Sequence, residues 1–123
     1  MNLSKINKIL IIRLSSLGDV LLTTPLIRTL KSSYPNLQID FIVRSEYEST
    51  LKFNPNINNL ITLERNYKKE KVRSQIIKEN YDLIVDLQNN LRSRYLTHGY
   101  SLKTVRYKKP YLSRILLVKL KIK

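Results

Sequence analysis

The run from Ile9 to Pro25, ILIIRLSSLGDVLLTTP, constrains the fold more than any other part of the chain. Its four consecutive apolar residues, Ile9 to Ile12, suit a strand covered on both faces. The spacing predicts a strand over Lys8 to Leu14, a polar turn over Ser15 to Gly18, and an apolar helix opened by Asp19. Gly18 is one of only two glycines, and glycine permits a tight turn or a close ligand approach. Asp19 is expected to cap the free N–H groups of the helix behind it. The turn lies at the carboxyl end of a strand, where open α/β sheets hold their ligands.

The rest of the chain repeats this alternation. Val20, Leu21, Ile27, Leu30 and Tyr34 fit one helical face, with Pro25 either kinking the helix or marking its first residue. A turn at Pro35-Asn36 precedes a second strand, Gln38 to Val43. A short helix over Glu46 to Phe53 stops at Asn54-Pro55-Asn56, and Asn59 to Leu63 reads as a third strand. Glu64 to Lys71 is a charged connection, and Val72, Ile76 and Ile77 give a helical face up to Asn80. Tyr81 to Leu87 is a fourth strand, followed by a polar turn at Gln88 to Asn90 and a helix over Leu91 to Thr97. A fifth strand falls at Lys103 to Tyr107, and Leu112 to Leu120 reads as a last helix or amphipathic segment. Strands and helices alternating in this way predict an α/β fold: a Rossmann-like parallel sheet, helices on both faces, strand order 3-2-1-4-5.

Charge narrows the partners. The net charge is +14, of which residues 1–63 carry +3 and residues 64–123 carry +11. Such a field attracts phosphates, anionic lipid headgroups, acidic sugars or nucleic acid, unless it is a plain solvated surface. With no cysteine and a single histidine, His98, disulfides and thiolate metal sites are excluded and a zinc site is not expected. No apolar run reaches the ~20 residues of a membrane span, and no signal-peptide pattern is present. A cytoplasmic protein fits. Leu112 to Lys123 mixes apolar and basic residues, so it reads as a peripheral membrane contact or as a helix packed on the sheet. The chain is expected to be a partial domain.

The chemistry-bearing residues cluster after strands. The first turn has neither G-x-G-x-x-G nor G-K-[ST], so it is not a nicotinamide or P-loop fingerprint. Asp19, at a helix N-terminus, could accept a proton from a hydroxyl poised over the strand ends, or serve only as a cap. Arg13 ends a buried strand and needs an anion there, from a ligand or from Asp19 itself. Ser15 and Ser16 flank that acid. Asp86, Gln88, Asn89, Asn90 and Arg92 follow the fourth strand. They form either a polar loop or a hydrogen-bonding set for a polyhydroxylated ligand, with Arg92 for its carboxylate or phosphate. Arg65, Lys68, Lys69 and Lys71 follow the third strand as an anion clamp or a solvated loop. Tyr67 within that run is also compatible with single-stranded nucleic acid.

At Ile11 to Pro25, Gln38 to Val43 and Tyr81 to Ser93 (YDLIVDLQNNLRS), the sequence resembles the ADP-heptose:lipopolysaccharide heptosyltransferases, glycosyltransferase family nine. The resemblance implies the GT-B architecture, two Rossmann-like domains facing across a cleft. Residues 1–123 would then be a partial N-terminal, acceptor-side domain, with the donor-binding domain absent from this chain. It implies Asp19 as the general base of an inverting transfer that needs no metal or other cofactor. It places Ser15, Ser16 and Gly18 at the acceptor pocket and the Arg65 to Lys69 run against an anionic inner-core saccharide. Arg92 falls where the family often has a basic residue, and Asn89 stands where that turn commonly has glycine. Arg13, Gln88 and Asn90 join the acceptor side on the strand-end reading above. The implied partners are a nucleotide-sugar donor, held by the second domain, and an anionic lipid-linked saccharide at the cytoplasmic face of the inner membrane. No nucleic acid is expected. The competing reading is a non-catalytic basic module for anionic glycan, lipid headgroup or nucleic acid.

Overall fold

The computed structural model describes residues 5–99 and 103–106. The segment expected as a last helix, Leu112 to Leu120, lies outside the described residues, as does the membrane contact expected over Leu112 to Lys123. Within them the chain runs β1 (Lys8–Ile12), α1 (Leu17–Leu22), α2 (Thr24–Ser33), β2 (Gln38–Arg44), a 3₁₀ turn (Ser45–Tyr47) and α3 (Glu48–Leu51). It continues through β3 (Asn59–Leu63), α4 (Lys69–Glu79), β4 (Leu83–Asp86), α5 (Leu91–Leu96) and β5 (Thr104–Arg106).

The strands form one parallel sheet in the order β3-β2-β1-β4-β5. The central strand pairs Ile9 with Ile39 on one side and with Leu83 on the other. Successive residues of β1 serve opposite layers, because side chains alternate along a strand. Ile9 and Ile11 join Ile39, Phe41 and Val43 beneath Val20 of α1, Ile27 and Leu30 of α2, and Leu51 of α3. Leu10 and Ile12 join Ile42 and Ile84 beneath Ile76 of α4 and Leu96 of α5. Full burial of each such side chain contributes about 1.5–3 kcal/mol. The parallel α/β architecture is thus the one the alternating pattern predicts.

Two helices differ from expectation. The helix that opens at Leu17 is interrupted at Thr23, as the kink or new start expected at Pro25 allows, and Pro25 lies in the first turn of the second helix; the burial of the expected apolar face is what differs. Proline has no N–H to give to Leu21, and the Thr24 hydroxyl donates to that carbonyl instead, at 2.8 Å. The Thr23 hydroxyl does the same for Val20 at 2.6 Å. The break changes which residues face the core, so Leu21 is exposed rather than buried. On α4, which begins inside the expected charged connection, Ile76 is buried and Ile77 is exposed.

The amino ends of the strands are held by carboxylates. Asp82 accepts from the backbone N–H groups of Asn7 (2.9 Å) and Lys8 (3.0 Å), tying the start of β1 to the approach to β4. Tyr81, expected inside a strand, precedes β4, and its buried hydroxyl donates to Asp40 Oδ2 at 2.7 Å. Asn59 Nδ2 donates to the other Asp40 oxygen at 3.0 Å. Among the described residues no helix is long and apolar enough to cross a membrane.

Candidate functional site

The chain leaves β1 toward one face of the sheet and leaves β4, its neighbour, toward the other. The carboxyl ends of these two strands therefore flank the crevice where such sheets bind ligands. Two turns, Arg13 to Ser16 and Leu87 to Asn90, build its floor.

Asp19 does not cap α1. The N-cap is Ser16, without a side-chain cap bond, and Asp19 sits in the first turn. Its Oδ2 accepts from Arg13 Nη2 at 2.8 Å and from the Ser16 hydroxyl at 3.1 Å. Arg13 and Asp19 are only 7% and 6% exposed, so this is a buried ion pair. Of the two partners open to Arg13, the structure supplies Asp19. The other terminal guanidinium nitrogen, Nη1, donates to the Leu87 carbonyl just beyond β4, while Nε is buried without a hydrogen-bond partner among the described residues. Ser16 and Gly18 are exposed, and Ser15 is half-buried. Gly18 is helical, and a Cβ built there meets nothing within 4 Å. The turn itself therefore does not require glycine, contrary to the tight-turn expectation, and the surface over Gly18 is open.

The second turn is largely occupied with its own construction. Gln88 Oε1 accepts from the backbone of Leu14 (3.0 Å) and Ser15 (3.3 Å). Buried Asp86 accepts from the Gln88 and Asn89 amides at 3.1 and 2.9 Å, and from Arg106 Nε at 3.2 Å. Asn89 has φ 49°, the left-handed conformation that a glycine would supply. Asn90 caps α5: its side chain accepts from Ser93 N–H at 2.9 Å while the Ser93 hydroxyl accepts from Asn90 N–H at 3.0 Å. A strand that stops inside a protein leaves amides that need acceptors, and these polar side chains supply them. Arg92, on the first turn of α5, is exposed.

The basic run divides. Arg65 and Lys68 are exposed beyond β3. Lys69 begins α4 and lies with its Nζ 5.3 Å from the centre of the Tyr95 ring, where Arg73 also packs at 5.9 Å. Tyr67 is half-buried and its hydroxyl pKa is raised from the ordinary 10.0, because burial outweighs the opposing pull of Arg92 and Arg44. Tyr67 is thus within electrostatic reach of Arg44 at the end of β2 and of Arg92 at the start of α5. Among the described residues no three His, Cys, Asp or Glu side chains converge to hold a metal ion.

No protein-family model matches the chain. Sequence comparison finds lipopolysaccharide heptosyltransferase 3 of Escherichia coli strain K12, 38% identical over 78 residues, which are 57% of this chain and 23% of that protein. Lipopolysaccharide heptosyltransferase 1 of Campylobacter coli is 33% identical over 90 residues, 70% of this chain and 26% of that protein. Among solved structures, the ADP-heptose lps heptosyltransferase II of Escherichia coli superposes with a TM-score of 0.66 at 26% identity, over 82% of this chain and 30% of that one. The chain is similar to the lipopolysaccharide heptosyltransferases. The matched region spans only about a quarter of the curated heptosyltransferases. A glycosyl transferase family 9 structure from Veillonella parvula shares the fold, with a TM-score of 0.73 over 95% of this chain and 42% of that one at 20% identity.

In this heptosyltransferase-like chain, sequence reasoning missed three contributors to the site. Arg44 carried a usable signal, since it ends a buried strand as Arg13 does. The Leu87 carbonyl and Arg106 carried none, because a backbone acceptor is silent in sequence and Arg106 reaches Asp86 only through the pairing of β4 with β5.

Proposed function

We propose that this chain is the acceptor-side domain of an inverting glycosyltransferase of the heptosyltransferase type, with Asp19 as general base. The observation that carries the reading is the Asp19 carboxylate held between Arg13 and Ser16 at the crevice between the ends of β1 and β4. The similarity to lipopolysaccharide heptosyltransferases supports a substrate class. The donor is an ADP-heptose-type nucleotide sugar and the acceptor an anionic lipopolysaccharide inner core, met at the cytoplasmic face of the inner membrane.

In the proposed step an acceptor hydroxyl over the open surface at Ser16 and Gly18 passes its proton to Asp19. Its oxygen forms the bond to the anomeric carbon as the bond to the nucleotide breaks. The nucleotide leaves with the electron pair and the anomeric centre inverts. Ser15 helps to shape the acceptor pocket, and Arg65, Lys68 and Arg92 neutralise the acceptor's anionic groups. Lys69, which packs on Tyr95, adds its charge to the same run. Gln88 and Asn90 contribute by fixing the turns. A donor-binding domain beyond residues 1–123 completes the site, because catalysis requires both reactants to be positioned together.

The test uses the complete protein that carries this sequence, with ADP-heptose and lipopolysaccharide from a heptose-deficient strain. Asp19→Asn is expected to lower turnover by about 10²–10⁴-fold, the usual worth of a general base. Unchanged turnover sinks the assignment. The +11 charge of residues 64–123 favours one other reading, a binding module without catalysis. Tight nucleic-acid binding with a steep salt dependence, in the absence of sugar transfer, would select it.

A further inference from the structure

Asp19 sits on a poor platform. Helix α1 has six residues, lacks a side-chain cap bond, and leaves Leu17, Leu21 and Leu22 exposed. So short a helix has little stability of its own. A carboxylate mounted on it needs a brace from elsewhere if its direction is to be fixed.

Arg13 provides that brace. It lies just beyond β1, and the two ends of its planar fork bond to different elements: Nη2 to Asp19 Oδ2 at 2.8 Å, Nη1 to the Leu87 carbonyl. Leu87 is itself fixed to the sheet, since its N–H donates to the Ile12 carbonyl at 2.9 Å. The backbone of Arg13 is fixed too, donating to the Ile42 carbonyl at 3.2 Å. The carboxylate is therefore referenced to β1, β2 and β4 as well as to Ser16 at the start of its own helix. Both bonds draw Arg13 inward, where it is 7% exposed and turned to protein partners. Stability alone is a weak reason for such a pair, because well-packed apolar residues in place of a buried ion pair are often as stable or more so.

We infer that Arg13 is a positioning residue that orients the Asp19 carboxylate through Oδ2, and that it does not bind the acceptor. The inference rests on the reading of Asp19 as the base. A lysine keeps the charge but loses the rigid two-ended fork.

The test compares wild type, Arg13→Lys, Asp19→Asn and the double variant in the complete protein. Arg13→Lys is expected to lower kcat by about 10–10²-fold, the cost of a base displaced by about an ångström. KM for ADP-heptose and for heptose-deficient lipopolysaccharide should stay within about twofold, since no ground-state contact is lost. Calorimetric binding of that lipopolysaccharide should be the same for both proteins. In the Asp19→Asn background, Arg13→Lys should lower turnover no further, because the two residues act as a unit; a merely structural effect would add. A raised acceptor KM or weakened binding, an unchanged kcat, or additive losses would each overturn the inference. Full turnover by Asp19→Asn, or no transfer by wild type, would instead overturn the parent reading, and the inference with it.

Discussion

Gln88 holds Leu14: its Oε1 accepts the Leu14 amide at 3.0 Å and the neighbouring Ser15 amide at 3.3 Å. The two turns that floor the crevice are thereby one unit. Gln88→Leu strips both amides of this acceptor and is expected to destabilise by about 1–3 kcal/mol. Urea unfolding of both proteins measures it. A change near zero would show that the amides find other partners.

Asp19 has a structural cost as well as a proposed role. Asp19→Ala leaves the Arg13 guanidinium buried without its counter-ion, expected to cost about 3–5 kcal/mol. Asp19→Asn keeps a side-chain oxygen toward Arg13 and should be clearly more stable than Asp19→Ala by thermal unfolding. Equal melting temperatures would contradict the buried-pair account. Asparagine, rather than alanine, is thus the cleaner probe of catalysis.

Tyr81 and Asp40 make the corresponding buried contact at the other end of the sheet, 2.7 Å from oxygen to oxygen. Tyr81→Phe removes the donor with little change of shape. About 1–3 kcal/mol should be lost, softened by Asn59 and Gln38, which also donate to Asp40. Asp40→Asn combined with Tyr81→Phe should cost less than the sum of the two, a coupling that a double-mutant cycle reads directly.

Tyr67 should titrate late. Burial raises its pKa above the ordinary 10.0, against Arg92 and Arg44, which lower it. The folded state therefore holds this proton more tightly than the unfolded state. The resulting stability is fully present below pH 10.0 and is lost as pH rises through the folded value. A phenolate absorbance titration of wild type against Tyr67→Phe isolates this hydroxyl from the other tyrosines. Arg92→Ala should move it higher still. A Tyr67 midpoint at or below the ordinary value would refute the burial argument.

Asn89 tests the second turn. At φ 49° a glycine should be accepted with little change in stability, even though the Asn89 side chain also accepts from Arg94 Nη2 at 3.0 Å. Asn89→Ala should be about 1–2 kcal/mol less stable than Asn89→Gly, the penalty for a Cβ in the left-handed region once the local bonding of the asparagine side chain is gone. Equilibrium unfolding of the two variants should rank glycine above alanine, and the reverse order would discount the backbone explanation.

The sheet was legible because each strand is a short apolar run between turn signals, and right-handed crossovers leave few orders for such strands. Ile9 to Ile12 could hardly be anything but a strand covered on both faces. Leu21 and Ile77 misled because periodicity assumes a continuous helix with one buried stripe, and neither α1 nor α4 buries a full one. In the site, the pairing of Arg13 with Asp19 was one of two open readings, since a charge at a buried strand end demands a partner without naming it. Asn90 reads from sequence as a loop residue or as a ligand group, because a capping asparagine and a binding asparagine are the same letter, and the cap it makes to the Ser93 amide is visible only in the structure.

The central strand also sets an order of events during synthesis. Once β2 exists, β1 can pair along one edge, but its other edge waits for β4. Leu14 and Gln88 are 74 residues apart. At a ribosomal rate of about 5–20 residues per second, that interval is on the order of 4–15 s. Throughout it the most apolar strand of the nascent chain presents an unpaired edge. Helix α4 and β4 end that exposure, so slowing translation between Glu64 and Asp82 should increase the chain's dependence on chaperones.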